Sequence, residues 1–189
     1  YVGEEYTLAL AVDHTLRHRP GPIVTNCSTS RMSEDLAHKY GVPFFRSKVG
    51  EANVVDLMLA EQAVLGGEGN GGVIDPRVVL VRDSLAAMAL VLDAMASREL
   101  PVSQLVDDLP RYASWKTKIP LGSAGADALL DALPAKMPDA RVDRLDGLRL
   151  DWSDRWLLVR TSNTEPIIRA IAEAPTYEEA KQLCEAAAK

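Results

Sequence analysis

Near the end of the chain the run Arg160-Thr-Ser-Asn-Thr-Glu-Pro-Ile-Ile-Arg169 gathers three hydroxyls, one amide and two guanidiniums around a single expected turn between apolar segments. Those groups suit a phosphate. Arginine presents a planar fork of donors to phosphate oxygens, Thr161, Ser162 and Thr164 add hydroxyl donors, and a turn can aim backbone N–H groups at the same anion. A plainer reading also fits: Ser162 and Glu165 have the spacing of a capping box, and Pro166 could open an edge strand.

Three further segments carry polar groups at the ends of expected strands. Gly66-Gly-Glu-Gly-Asn-Gly-Gly72 reads as a glycine-rich turn holding one carboxylate, Glu68, which could accept from two adjacent sugar hydroxyls; Asn70 beside it could also bond a hydroxyl, and an ordinary turn is the alternative. Lys48, in Arg46-Ser-Lys-Val-Gly-Glu51, is either a mobile point charge for a sugar oxygen or phosphate, or a solvated lysine. Glu51 could simply favour a helix N-terminus. Ser28 to Arg31 either touch a ligand or cap the next helix.

The elements that must position these groups fall into two sets. Over the first ~110 residues helix and strand alternate, as in a parallel sheet covered by helices. Helices are expected at Glu5–Arg17, Ser33–Tyr40 and Glu51–Ala63, and strands at Pro22–Asn26, Pro43–Arg46 and Ala63–Gly66. The crevice beyond the carboxyl ends of such strands is where open α/β sheets bind ligands. A helix from Asp83 to about Ser97 carries Leu85, Met88, Leu92 and Met95 as one apolar stripe, expected to be core. Val102–Leu109 reads as a short helix, and Arg111–Gly122, bordered by prolines, as the crossing between domains. Beyond it come a helix near Ala124–Leu133, strands at Arg141–Leu145, Leu148–Trp152, Trp156–Arg160 and Pro166–Ala174, and a last helix capped by Thr176 and Glu179. The expected fold is thus an α/β three-layer domain with a mixed or parallel sheet over residues 1–113, then a small α+β domain with an antiparallel sheet over 114–189.

Composition bounds the partners. The 189 residues are 47% apolar and 25% charged, ordinary for one or two globular cores. A formal charge of −6 argues against nucleic acid, so any phosphate site must be locally basic. No apolar stretch approaches the ~20 residues of a membrane span and no leader is evident, so a cytoplasmic protein without a membrane partner is expected. Cys27 and Cys184 read as reduced packing residues, and His14, His18 and His38 have no ligand spacing for a metal.

The run Arg160, Ser162, Asn163, Thr164, Pro166 and Arg169 resembles the phosphate-binding loop of the α-D-phosphohexomutases, Arg-x-Ser-Asn-Thr-x-Pro followed by Arg. Gly67, Glu68 and Gly71 are similar to that family's sugar-binding motif Gly-Glu-x-Ser-Gly-His, with departures at Asn70 for Ser and Gly72 for His; the second removes an imidazole. Lys48 to Glu51 resembles the Lys-Val-Gly-Asp/Glu run of phosphoglucosamine and archaeal-type mutases. The resemblance implies phosphate binding by Arg160, Thr161, Ser162, Asn163, Thr164 and Arg169, and sugar binding by Glu68, Asn70 and Lys48. It also implies an intramolecular phosphotransferase, an isomerase of carbohydrate metabolism. That enzyme moves phosphate between the 1 and 6 oxygens of a hexose through a phosphoserine, Mg²⁺ and a hexose 1,6-bisphosphate intermediate. The expected serine and aspartate runs do not occur here, and Tyr1 to Leu8 looks like the start of the family's third domain. The chain is therefore expected to be domains three and four of a four-domain phosphoprotein, partnered by its missing N-terminal domains, with no catalytic or metal residue of its own and no turnover alone. Phosphoglucosamine mutase, a natural short sugar-phosphate-binding protein and an unrelated α/β interaction module are the alternatives.

Overall fold

A computed structural model describes residues 1–120, 125–162 and 166–188. The chain divides into two compact units, Tyr1–Pro110 and Arg111–Lys189.

The first unit runs α1 (Glu4–His18), β1 (Ile23–Asn26), α2 (Met32–Lys39), β2 (Phe44–Ser47), α3 (Glu51–Ala60), β3 (Leu65–Glu68), β4 (Gly72–Ile74), α4 (Ser84–Arg98) and α5 (Val102–Asp107). Its sheet has the order β2-β1-β3-β4, with the first three strands parallel and β4 antiparallel at the edge. Helix α3 packs on β1, β2 and β3, while α1 packs against α2, α4 and the β3–β4 ribbon. Alternate strand residues serve the two helical layers. Val24 and Ile74 join Val54 and Met58 of α3 in one core, whereas Leu8 of α1 lies over Gly67. Glu4 and Glu5 in the first turn of α1 and Arg17 and His18 in its last have the signs the helix dipole favours. Every residue of α1 from Leu8 to Leu16 is buried, so this helix forms the centre of its layer.

Two sequence expectations change here. The glycine-rich turn is shorter than expected, Gly69 to Gly71: Gly66 and Gly67 lie inside β3 and Gly72 opens β4. Close packing explains the glycines, since a Cβ on Gly66 would sit 2.3 Å from Met58 Sδ and one on Gly67 would sit 2.4 Å from the Gly72 carbonyl oxygen. The apolar stripe of α4 is not core either. Leu85, Met88 and Leu92 are 73, 52 and 62% exposed, while Ala86, Ala87 and Ala94 are buried. Small side chains let α4 lie close on its neighbours, and helical spacing alone cannot tell which of two apolar faces turns inward.

A buried carboxylate ties this layer together. Asp13 accepts from Arg17 Nε and from the Tyr40 hydroxyl, each at 2.8 Å, with Lys39 at 3.6 Å and Arg98 at 3.9 Å. Burial pushes the Asp13 carboxyl up, but the bonds from Arg17 and Tyr40 outweigh it and hold the pKa below its ordinary value. Burial and the same carboxylate push the Tyr40 phenol up to about 12.

The second unit contains β5 (Ala113–Pro120), α6 (Gly125–Lys136), β6 (Arg141–Asp143), β7 (Leu148–Asp151), β8 (Trp156–Thr161), β9 (Ile167–Ala174) and α7 (Tyr177–Ala187). All its strands are antiparallel, in the order β5-β9-β8-β7-β6. Residues 113–120, expected as an interdomain crossing, instead pair with β9 along eight positions. Leu148, Leu150, Leu157, Val159, Ile168, Ala170 and Ala172 form one core with Leu133 of α6 and Ala180, Cys184 and Ala187 of α7. Burial pushes the Cys184 thiol up to about 12, which keeps it protonated and inert. The strand positions between these core residues carry a polar set. Arg149, 2% exposed, forks onto Asp151 and stacks 4.2 Å over Trp156, whose indole N–H donates to Glu173 at 2.8 Å. The capping box of Thr176 and Glu179 starts α7.

Two outcomes follow for stability. Because Asp13 titrates below its unfolded value, its contribution is present at neutral pH and fades as pH falls through the carboxylate range. Asp13→Asn should therefore cost about 2 kcal/mol at pH 7, and urea denaturation repeated at pH 3 should show that penalty shrinking. Gly147, before β7, has φ +74°, and a Cβ there would lie 2.5 Å from the Val159 carbonyl oxygen and 2.8 Å from Arg160 Cβ. Gly147→Ala should destabilise by about 2 kcal/mol through strain and displacement of β8, read as a lower urea midpoint with an unchanged slope.

Candidate functional site

The expected phosphate-binding residues bracket the β8–β9 connection. Arg160 and Thr161 end β8, Arg169 lies in β9, and the Ser162 N–H donates to the Ile167 carbonyl at 2.9 Å, closing the connection. Asn163 and Thr164 lie outside the described residues. Register decides the geometry of the rest. Arg160 is directly opposite Arg169, and Arg169 is directly opposite Lys118 of β5. Directly opposed residues share a face with Cβ atoms about 5 Å apart, so three cations stand side by side across three strands. Lys116, Thr117, Lys118, Arg169 and Ile171 line a cavity of about 320 Å³ there. Arg160 Nε is 3.3 Å from Asp146 Oδ2, outside good hydrogen-bond geometry, and among the described residues that buried N–H has no hydrogen-bond partner. Asp146 holds the guanidinium sideways, and Gly147 leaves room for its Cβ.

The sequence did not point to Lys118. Its signal was present in the alternation of Trp115 and Ile119 with Lys116 and Lys118, a strand pattern that the flanking prolines outweighed.

The expected sugar-binding residues lie at the carboxyl ends of β2 and β3. Glu68 is the last residue of β3 and only 7% exposed. Its Oε1 accepts from Asn26 Nδ2 at 2.7 Å and from the Gly50 N–H at 3.3 Å, and its Oε2 is 3.0 Å from Arg82 Nη1. Lys48 is exposed, two residues before Gly50, and Asn70 is exposed at the β3–β4 turn, where its Oδ1 accepts from the Gly72 N–H at 3.1 Å. The three expected residues therefore share one rim. Arg82 also bonds Glu51, whose carboxyl is held below its usual range by the Arg82 N–H and guanidinium.

The turn after β1 knits the rim. Asn26 Oδ1 accepts from the Ser28 N–H and hydroxyl and from the Thr29 hydroxyl, while the Gly69 N–H donates to Thr29 Oγ1 at 3.0 Å. Ser28 and Thr29 thus support the loops around Glu68. Asn26 opens the segment Asn26 to Arg31 that the sequence places on this rim, but Arg82 escapes the sequence reading: nothing in local spacing ties either to Glu68, and only the parallel order of β1 and β3 and the return of the chain past β4 bring them there.

Comparison with known proteins places both units in one family. Residues 3–112 match the family description phosphoglucomutase/phosphomannomutase, alpha/beta/alpha domain III, and residues 124–189 match phosphoglucomutase/phosphomannomutase, C-terminal domain. A phosphoglucomutase/phosphomannomutase of Thermococcus kodakarensis is 36% identical over 98% of this chain and 41% of its own length. A probable phosphoglucosamine mutase of Pyrococcus horikoshii is 33% identical over 97% of this chain and 42% of its own. The crystal structure of a phosphoglucomutase/phosphomannomutase family protein from Burkholderia thailandensis superposes with a TM-score of 0.78 at 25% identity, covering 98% of this chain and 42% of that one. The chain thus spans about two-fifths of the length of the curated relatives it matches. With both domain descriptions matched in order and the two candidate sets placed in them, the chain belongs to the phosphoglucomutase/phosphomannomutase family.

Proposed function

We propose that this chain supplies the sugar-binding and phosphate-binding half of a hexose-phosphate mutase, an isomerase that exchanges phosphate between the 1 and 6 oxygens of a hexose. The observation that carries the reading is the row Lys118, Arg169 and Arg160 beside the β8–β9 connection. Three adjacent cations repel one another and are stabilised together by a dianionic phosphate, to which arginine offers bidentate donors. Thr161, Ser162, Asn163 and Thr164 would add hydroxyl and amide donors to the same group. Glu68, with Asn70 and Lys48 on its rim, would orient the hexose.

In this reading the grip holds the phosphate that is not reacting, so binding energy remote from the chemistry positions the other end of the sugar. A hexose 1,6-bisphosphate, as intermediate and activator, would place either phosphate in the grip in turn. Among the described residues no three His, Cys, Asp or Glu side chains come together as metal ligands. No step is therefore assigned to Mg²⁺ in this chain; the metal and the phosphoserine belong, in this proposal, to further domains of a longer, cytoplasmic protein. Glucosamine phosphates are the second candidate substrates, favoured by the 33% identical relative described as a probable phosphoglucosamine mutase.

Calorimetric titration with glucose 1,6-bisphosphate tests the grip. Arg160→Ala should weaken binding about a hundredfold and Lys118→Ala about tenfold, the range expected for losing charge-assisted hydrogen bonds. Unchanged affinity in both variants would count against the reading. The purified chain should not interconvert hexose 1- and 6-phosphates, and turnover above a protein-free control would contradict the division of labour proposed here.

A further inference from the structure

Position 72 is glycine where the resemblance expects histidine, and the space of the absent side chain is filled. A Cβ built on Gly72 would lie 2.3 Å from Arg82 Cδ, 2.8 Å from Arg82 Cγ and 2.9 Å from Asn70 Oδ1. A side chain at 72 and the present course of Arg82 exclude each other. From that place Arg82 reaches two carboxylates on different elements: its Nη1 lies 3.0 Å from Glu68 Oε2, at the end of β3, and its Nε lies 2.9 Å from Glu51 Oε2, at the start of α3. The Arg82 backbone N–H also donates to Glu51 Oε2, at 2.9 Å, which fixes the root of the side chain as well as its tip. With Glu51, Asn70, Gly71, Gly72 and Ser84, Arg82 lines an open cavity of about 340 Å³.

Resting on the reading of this rim as a sugar site, we propose that Arg82 is a sugar-specificity residue, which with Glu68 selects a hydroxyl over an ammonium substituent on the hexose. The contact of Arg82 Nη1 with Glu68 Oε2 is an ion pair, and a carboxylate oxygen has two acceptor positions, so Oε2 can still accept from a ligand. The Arg82 fork, held by Glu51 through Nε and by the ion pair with Glu68 through Nη1, still carries further N–H donors. The pair therefore presents an acceptor and a donor to one ligand atom. A hydroxyl satisfies both, donating to Glu68 and accepting from Arg82. An ammonium group donates to Glu68 but has no lone pair to accept from Arg82, so that N–H stays unmet. The glycine at 72 and the arginine at 82 act as one unit, in which the cation stands where the motif of the resembling family has an imidazole.

Titrations of the wild-type chain with glucose 1,6-bisphosphate and with its 2-amino analogue should favour the neutral sugar about tenfold. Arg82→Met should weaken glucose 1,6-bisphosphate binding about tenfold and bring the two ligands within about threefold of each other. If Arg82→Met does not fold, Gly72→Ala serves, since it leaves every charge in place while pushing the Arg82 stem aside, and the same narrowing is expected. A preference ratio unchanged in the folded variant would overturn the proposal and leave Arg82 a structural strut between Glu51 and Glu68. Arg160→Ala separates the two claims: it should weaken both sugars equally and preserve their ratio. Failure of the wild-type chain to bind either sugar would overturn the proposed function and this inference with it.

Discussion

The register of three antiparallel strands places Lys118, Arg169 and Arg160 in adjacent positions, and the packing of the second unit holds them there against their repulsion. Directly opposed positions have Cβ atoms about 5 Å apart, so these cations are near neighbours. Asp146 offsets part of that charge at Arg160. The strands cannot slip to escape it. Ile168, Ala170, Leu157 and Val159 of the same strands are fully or almost fully buried in the helix-covered core, and a shift of one residue would turn them outward. A core built for stability therefore also keeps these cations in adjacent positions, and Asp146 and Gly147 set the course of Arg160.

The first unit applies a related constraint to a carboxylate. Glu68 is nearly buried, and burying a carboxylate is costly unless its oxygens are bonded. Asn26, the Gly50 N–H and Arg82 meet that need from three different segments. The contacts that make Glu68 tolerable also fix where its remaining lone pairs point, which is what a sugar site requires. The turn after β1 contributes through Asn26 and Thr29, so the rim is one hydrogen-bonded object and not a set of separate loops.

Much of this was legible in the residues. Alternating helix and strand signals located the parallel strands of the first unit to within two residues, and the Thr176–Glu179 box located α7. The Arg160–Arg169 run, read by side-chain type alone, already suggested an anion. What remained hidden depended on distance along the chain. The glycines of β3 read as a flexible turn because the Met58 sulfur and the Gly72 carbonyl that exclude side chains there are not adjacent in sequence. The stripe on α4 read as core because period alone does not choose between its alanine face and its leucine face. Lys118 was obscured by Pro110 and Pro120, which bracket a strand as readily as a linker. Arg82 had no local signal: its role follows from the β3–β4 hairpin returning the chain past Glu68.

The central claim is that Arg160 and Arg169 hold one phosphate together, and their guanidinium Nε–H resonances test it most directly. In a ¹⁵N NMR titration of the chain with glucose 1,6-bisphosphate, both signals should shift saturably with the same dissociation constant. Two signals that stay in place while the ligand binds, or that titrate with different constants, would contradict the account.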